Sequence, residues 1–306
     1  MPPTSTPAFD LKKVLNSAQL PALPQSAIRL LELSQDPENG PAEFAVPIEA
    51  DPGLTGQVLR FVNSSYFGFS REISSVRLAI TLVGIRTIKN FALWSAVFSL
   101  MPNPKCGPFD LKGLWQDSLR RALFAREMAR MLGLKEPDEA FAAALLQDMA
   151  VPLLAKEAPE LYAKMLSARD DGRYRLSFLE QRVFGWNHAE AAGMMARQWN
   201  LPEEFALLIE HHQEIDRWAG DPKKEPGKLA VALSALLPTI ADTQWLECGL
   251  LEQYYQQVAP SGSPTIAEQL AKTDAGFGEF APVLKLATPG KSLVELHQET
   301  LAGAPA

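Results

Sequence analysis

Asp138 through Ala150 reads DEAFAAALLQDMA, an uninterrupted apolar run that opens on two acids and closes on Gln147-Asp148-Met149. Asp138 is placed to cap a helix, and the alanines and leucines behind it favour one. Upstream, 109–132 reads as one long helix ending at Gly133, with Trp115-Gln116-Asp117-Ser118 near its start. Downstream, helices are expected over 159–168, 178–184, 188–199 (capped by Asn187) and 203–212, with Pro202 at the first turn of the last. The expected result is a helical framework on which acids and imidazoles recur: Asp117, Asp148, His188, and the adjacent pair His211 and His212. Neutral nitrogens and anionic oxygens are what a divalent-metal phosphohydrolase needs, because they hold the ions that activate water.

The remaining periodic segments also read as helix. Ser26 can cap a segment carrying Ile28, Leu30, Leu31 and Leu33, and Asp51-Pro52 opens another with Leu54, Val58, Leu59 and Val62 as its stripe. Residues 75–101 are apolar on nearly all sides, as a central helix requires, and Gly84 is expected to split them. Pro- and Gly-rich breaks at 101–108 and 220–227 suggest a tail (1–19), an N-terminal helical subdomain (20–104), a helical bundle (105–219) and a helical C-terminal extension (220–306). Residues 302–306 are expected to fray. No sustained alternation suggests a strand, so the expected fold class is all-α.

At 306 residues with 47% hydrophobic content, the chain can bury a substantial core. It has no run of about 18 apolar residues and its first residues show no basic-then-apolar leader, so a cytoplasmic protein with no membrane partner is expected. Cys106 and Cys248 are too few for a disulfide framework or a cysteine zinc site. The charge is −7, from 29 cations against 36 anions. Arg120, Arg121, Arg126 and Arg130 share a predicted helix, but against that background they read as a solvated face, and nucleic acid is not an expected partner. Neither a Gly-rich phosphate loop, a serine elbow nor a Cys/His pair is legible.

The spacing of the segments carrying Asp117, Gln147-Asp148, His188 and His211-His212 resembles the HD superfamily of metal-dependent phosphohydrolases. The upstream half is similar to the HDOD domain, the HD-related output domain of bacterial signalling proteins. That likeness rests on an ordered series: Leu20-Pro21-Ala22-Leu23-Pro24, Asp36-Pro37, Asp51-Pro52-Gly53-Leu54, Asn63-Ser64-Ser65-Tyr66-Phe67-Gly68, Ile73-Ser74-Ser75 and Ala79 to Gly84. It covers about residues 20–213 and implies an N-terminal helical subdomain packed on an HD-like bundle.

Against the HD pattern, Gln147 stands where a ligand histidine is expected, and Asp117 stands where another is. A carboxamide is a poor replacement for imidazole on a transition metal. The later carboxylate is missing from 231–237, although an offset alignment could recruit Asp242. On one helix His211 and His212 would point about 100° apart and could not both enter one tight site. Dinuclear hydrolysis is therefore not expected, and no residue is assigned a catalytic role. The residual pocket would comprise Asp117, Gln147, Asp148, His188, His211 and His212; no cofactor is expected beyond one adventitious divalent ion on Asp148, His188 and His211.

The signature loop Asn63, Ser64, Tyr66, Phe67, Gly68 and Phe69 carries no metal chemistry. Asn63 can bond backbone to shape the turn, Tyr66 offers an apolar body with a polar tip, and the loop is expected to seal the joint between subdomain and bundle in preference to contacting a partner directly. The resemblance implies a non-catalytic output or adaptor module for a signalling protein partner or a nucleotide second messenger. The alternative is a phosphohydrolase acting on a nucleotide or cyclic dinucleotide.

Overall fold

The structure is a computed structural model describing residues 10–17 and 20–303. Every regular element among the described residues is a helix. The N-terminal half comprises α1 (Leu11–Ser17), α2 (Gln25–Leu33), α3 (Pro41–Glu49), α4 (Pro52–Val62), α5 (Val76–Val83) and α6 (Ile85–Leu100). The bundle follows as α7 (Leu111–Met131), α8 (Pro137–Leu146), α9 (Ala150–Glu157), α10 (Pro159–Ala168), α11 (Leu176–Phe184), α12 (His188–Gln198), α13 (Glu203–Glu210), α14 (Ile215–Trp218) and α15 (Pro226–Ser234). The C-terminal helices are α16 (Cys248–Val258), α17 (Ile266–Phe280) and α18 (Leu293–Gly303).

Local chemistry sets most of the helix starts. Asp51 accepts the Leu54 N–H at 3.0 Å ahead of Pro52, Ser75 caps α5, and Asp110 accepts the Lys112 N–H at the start of α7. Gly84 separates α5 from α6 at a φ of 100°, a backbone angle that a side chain disfavours. The cap expected at Ser26 lies elsewhere: α2 starts at Gln25 behind Pro24, and the Ser26 hydroxyl donates to Asp51 instead.

α7 is the central element, packing against α8, α15 and α17. Its Trp115, Leu119 and Phe124 are buried, each contributing about 1.5–3 kcal/mol through removal from water. Buried apolar side chains form a continuous cluster from Val14 to Leu296 that crosses each boundary suggested by the Pro- and Gly-rich breaks. The stretch read as a tail contains α1, whose Val14 and Leu15 are buried, with the helix against α12. At the other end α18 continues to Gly303, so the expected fraying at 302–303 is not seen; 304–306 and the opening residues 1–9 lie outside the described residues.

The helix expected over 138–150 is broken: α8 stops at Leu146, Gln147-Asp148-Met149 form a turn, and α9 restarts at Ala150. The arginines read as a solvated face are also placed otherwise. Arg120 and Arg126 are buried, Arg121 is nearly so, and only Arg130 is exposed: Phe277 and Phe280 of α17 pack on Arg120 and Arg126, and Asp148 of the turn after α8 meets Arg121. Among the described residues no helix is long and apolar enough to cross a membrane.

Candidate functional site

Three elements deliver the central side chains. The turn between α8 and α9 presents Asp148, the first residue of α12 presents His188, and the turn after α13 presents His212. α12 is started by a capping box in which the Asn187 side chain accepts N–H groups from Ala189 and Glu190, which fixes His188 at the helix mouth. Gly193 lets α12 and α13 approach closely, since a β-carbon there would lie 2.7 Å from Glu210 Cβ. One ligand atom from each of Asp148, His188 and His212 lies within 4.8 Å of the others, and all three residues are buried.

His212, not His211, joins Asp148 and His188, so the ion set expected from the sequence is corrected at that position. α13 ends at Glu210, and the chain turns through both histidines instead of carrying them on one helix. His211 faces away, with Nδ1 2.9 Å from Glu214 and its ring 5.5 Å from Trp218. His212 directs Nδ1 to the Ile209 carbonyl at 2.7 Å, leaving Nε2 3.7 Å from Asp148 Oδ1. Burial lowers its pKa to about 3, so it is a neutral imidazole with its lone pair on Nε2.

His188 is in the opposite state. Its Nδ1 lies 2.6 Å from Glu180 Oε2, and its backbone N–H donates to the same oxygen at 2.8 Å. The Tyr162 hydroxyl donates to Glu180 Oε1 at 2.6 Å, so this fully buried carboxylate is fixed by three donors. Burial alone would discharge His188, but Glu180 on one side and Asp148, 3.1 Å from Nε2, on the other raise its pKa to about 10. Asp148 places Oδ1 3.1 Å from His188 Nε2 and accepts the guanidinium of Arg121 on Oδ2. Burial opposes ionisation of Asp148, yet Arg121 and the protonated His188 hold its pKa well below the ordinary carboxylate value. The result is a buried row of alternating sign: Glu180, His188, Asp148, Arg121.

The two altered positions have been absorbed into the fold. Asp117 Oδ1 accepts the Ile240 N–H at 2.7 Å, and burial raises its pKa to about 7 despite nearby Arg121. Gln147 is fully buried, with its carboxamide oxygen 3.4 Å from the Ser234 hydroxyl, and Ser234 itself donates to the Val231 carbonyl. Asp242 is engaged by Arg169 through both oxygens at 2.9 and 2.8 Å. A two-ion phosphohydrolase centre does not fit these residues, because Gln147 offers a carboxamide where an imidazole is needed, Asp117 is bonded to the Ile240 N–H and Asp242 is held by Arg169.

A cleft of about 290 Å³ opens onto this row, with Asp117, Arg121, Asp148 and His188 in its lining and the Arg169–Asp242 and Arg175–Glu247 pairs among its walls. Glu180 and Arg121 were not singled out as site residues from the sequence. Arg121 was findable, since it lies four residues after Asp117 and so shares its helix face. Glu180 offered no comparable signal; it meets His188 only because the chain turns back between α11 and α12.

In the signature loop, Asn63 gives Oδ1 to the Ile73 N–H at 2.7 Å and Nδ2 to the Ile73 carbonyl at 2.8 Å. The Ser64 hydroxyl donates to the Phe61 carbonyl, and Gly68 has a φ of 61°. Phe67 packs edge-on against Phe61 at 5.0 Å, and Phe69, partly exposed, stacks on Phe67 at 6.1 Å. Tyr66 meets Phe280 of α17 at 4.2 Å and Arg126 of α7 at 4.7 Å.

Comparison with solved structures gives the fold. An HDOD domain protein of unknown function from Geobacter sulfurreducens superposes with a TM-score of 0.69 at 23% identity, covering 91% of this chain and 99% of its own. A candidate phosphohydrolase from Shewanella amazonensis SB2B gives 0.62 at 22% identity over 96% and 98% of the two chains. An uncharacterized protein of Treponema pallidum (strain Nichols) is 23% identical over 201 residues, 64% of this chain; the match spans 38% of that longer protein. Residues 20–215, most of the chain, match the HDOD domain family. The chain is a member of the HDOD family.

Proposed function

We propose that this chain is a non-catalytic signal-transduction module, an output or adaptor domain that works by binding a signalling protein partner or a nucleotide second messenger. The observation that carries this reading is the Arg121–Asp148 pair: the one carboxylate facing both imidazoles already has its positive counterion within the fold. A hydrolytic centre would need that carboxylate for metal, and here the Arg121 guanidinium is bonded to it. With chemistry disfavoured, the cleft beside the row and the exposed end of the signature loop are the places where a ligand or partner would be read.

A second reading is supported by the convergence of Asp148, His188 and His212, a three-ligand set that a single ion could use after displacing the His188 proton. In that case Asp148 and the two imidazoles would hold the ion, which would supply an activated water. Assaying hydrolysis of cyclic dinucleotides and nucleoside phosphates with manganese, iron or magnesium separates the two readings. The proposal expects no turnover above background; turnover abolished by Asp148→Ala would establish the second reading.

A further inference from the structure

Arg126 stands away from the row just described, on the side of α7 where α17 and the signature loop meet. Its side chain is only 7% exposed, yet its Nε is buried without a hydrogen-bond partner, and the nearest carboxylate oxygen, Glu127 Oε1, is 3.9 Å away. The surroundings of the guanidinium are aromatic: Cζ lies 4.7 Å from the ring centre of Tyr66, 5.1 Å from Phe141 and 5.9 Å from Phe280. Ring faces offset part of the cost of burying a charge, but they accept none of the planar fork of N–H donors that guanidinium presents. Buried charged groups in folded proteins are almost always bonded to something, so the Nε of this one lacks an acceptor.

The acceptor has a place to sit. Arg126 lines a cleft of about 270 Å³ together with Arg130, Lys272, Glu127 and Glu279, and the wall on α17 is formed by the small residues Ala275 and Gly276. Gly276 brings α17 so close to α7 that a β-carbon there would lie 3.2 Å from Leu123 Cδ2. Glu127 is engaged by Arg130 at 2.6 Å and lies 3.9 Å from Arg126, so the three cations of the cleft face only two carboxylates, Glu127 and the exposed Glu279. Arginine presents paired donors that match the oxygens of a phosphate, and lysine adds a point charge.

We infer that the cleft between α7 and α17 is a binding site for a small phosphate-bearing anion, held by Arg126 with Lys272 and Arg130 at its rim. The occupant bonds the buried guanidinium and bridges α7 to α17. Because Tyr66 and Phe280 flank the same guanidinium, ligand binding would be felt by the signature loop and the C-terminal helices together. This inference is independent of whether the Asp148 row binds metal.

Isothermal titration of inorganic phosphate and pyrophosphate into the full chain tests it, with citrate as a carboxylate control. Wild type is expected to bind pyrophosphate at a single site, and Arg126→Gln to weaken it about tenfold or more, the loss of a charge-assisted bond. Lys272→Glu, at an exposed position with little bearing on folding, is expected to weaken binding as well, and circular dichroism reports whether each variant is folded. Absence of pyrophosphate binding up to millimolar concentration, preference for citrate, or affinity unchanged by Lys272→Glu and by a folded Arg126→Gln would overturn the assignment.

Discussion

Arg121 and Asp148 form a buried ion pair, reaching from the middle of α7 to the turn that separates α8 from α9. The pair completes the row that starts at Glu180, so two carboxylates are matched by one imidazolium and one guanidinium. Removing one member should cost far more than removing both, because a lone buried charge is left behind. Arg121→Met is predicted to lose about 3–5 kcal/mol of stability, and the double variant Arg121→Met/Asp148→Asn to recover part of it. Urea denaturation of the two variants beside wild type measures this; equal losses would show that the pair carries little of the charge balance.

Asp117 gives the fold a pH dependence of definite sign. Its folded pKa of about 7 lies above the unfolded value of 3.8, so the folded state holds the proton more tightly. The stability this confers is fully present below pH 3.8 and is lost as the pH rises through 7. Asn keeps the oxygen that accepts the Ile240 N–H but has no charge to desolvate. Asp117→Asn is therefore predicted to match wild type near pH 4 and to exceed it by up to about 4 kcal/mol at pH 8. Denaturation curves at the two pH values check it, and a gain that is equal at both would contradict the assignment.

Asn63 fastens the signature loop by pairing with both backbone groups of Ile73. Asn63→Ala leaves these groups without their partner and is predicted to destabilise the protein by about 1–3 kcal/mol. Chemical denaturation provides the measurement, and faster amide exchange at Ile73 should accompany the loss.

Phe69 lies at the exposed end of that loop, stacked on Phe67 and outside the core. If a signalling partner is read at this surface, Phe69→Ser should stay folded and weaken capture of that partner, while His188→Gln should not. The opposite pattern, in a pull-down followed by titration of the captured protein, would move recognition to the cleft.

Much that rests on local chemistry is legible in the sequence, although the cap expected at Ser26 is not formed. Asn187 before His188, Asp51-Pro52 and Gly84 each mark a boundary through capping or backbone freedom, and each lies where it was expected. The turn at Gln147-Asp148-Met149 was not legible, because its flanks are strong helix formers and contacts with other helices impose the break. His211 could not be separated from His212, since the choice depends on where α13 stops, one residue before the pair. The burial of the α7 arginines is illegible for a related reason: it is set by α17 and by the turn at Asp148, both remote in sequence.

The central claim is that the internal row, with Arg121 as its cation, takes the place of a bound metal. Titrating manganese into chelator-free wild-type protein tests it most directly. The account predicts no stoichiometric binding; a tight site per chain that Asp148→Asn abolishes would contradict it.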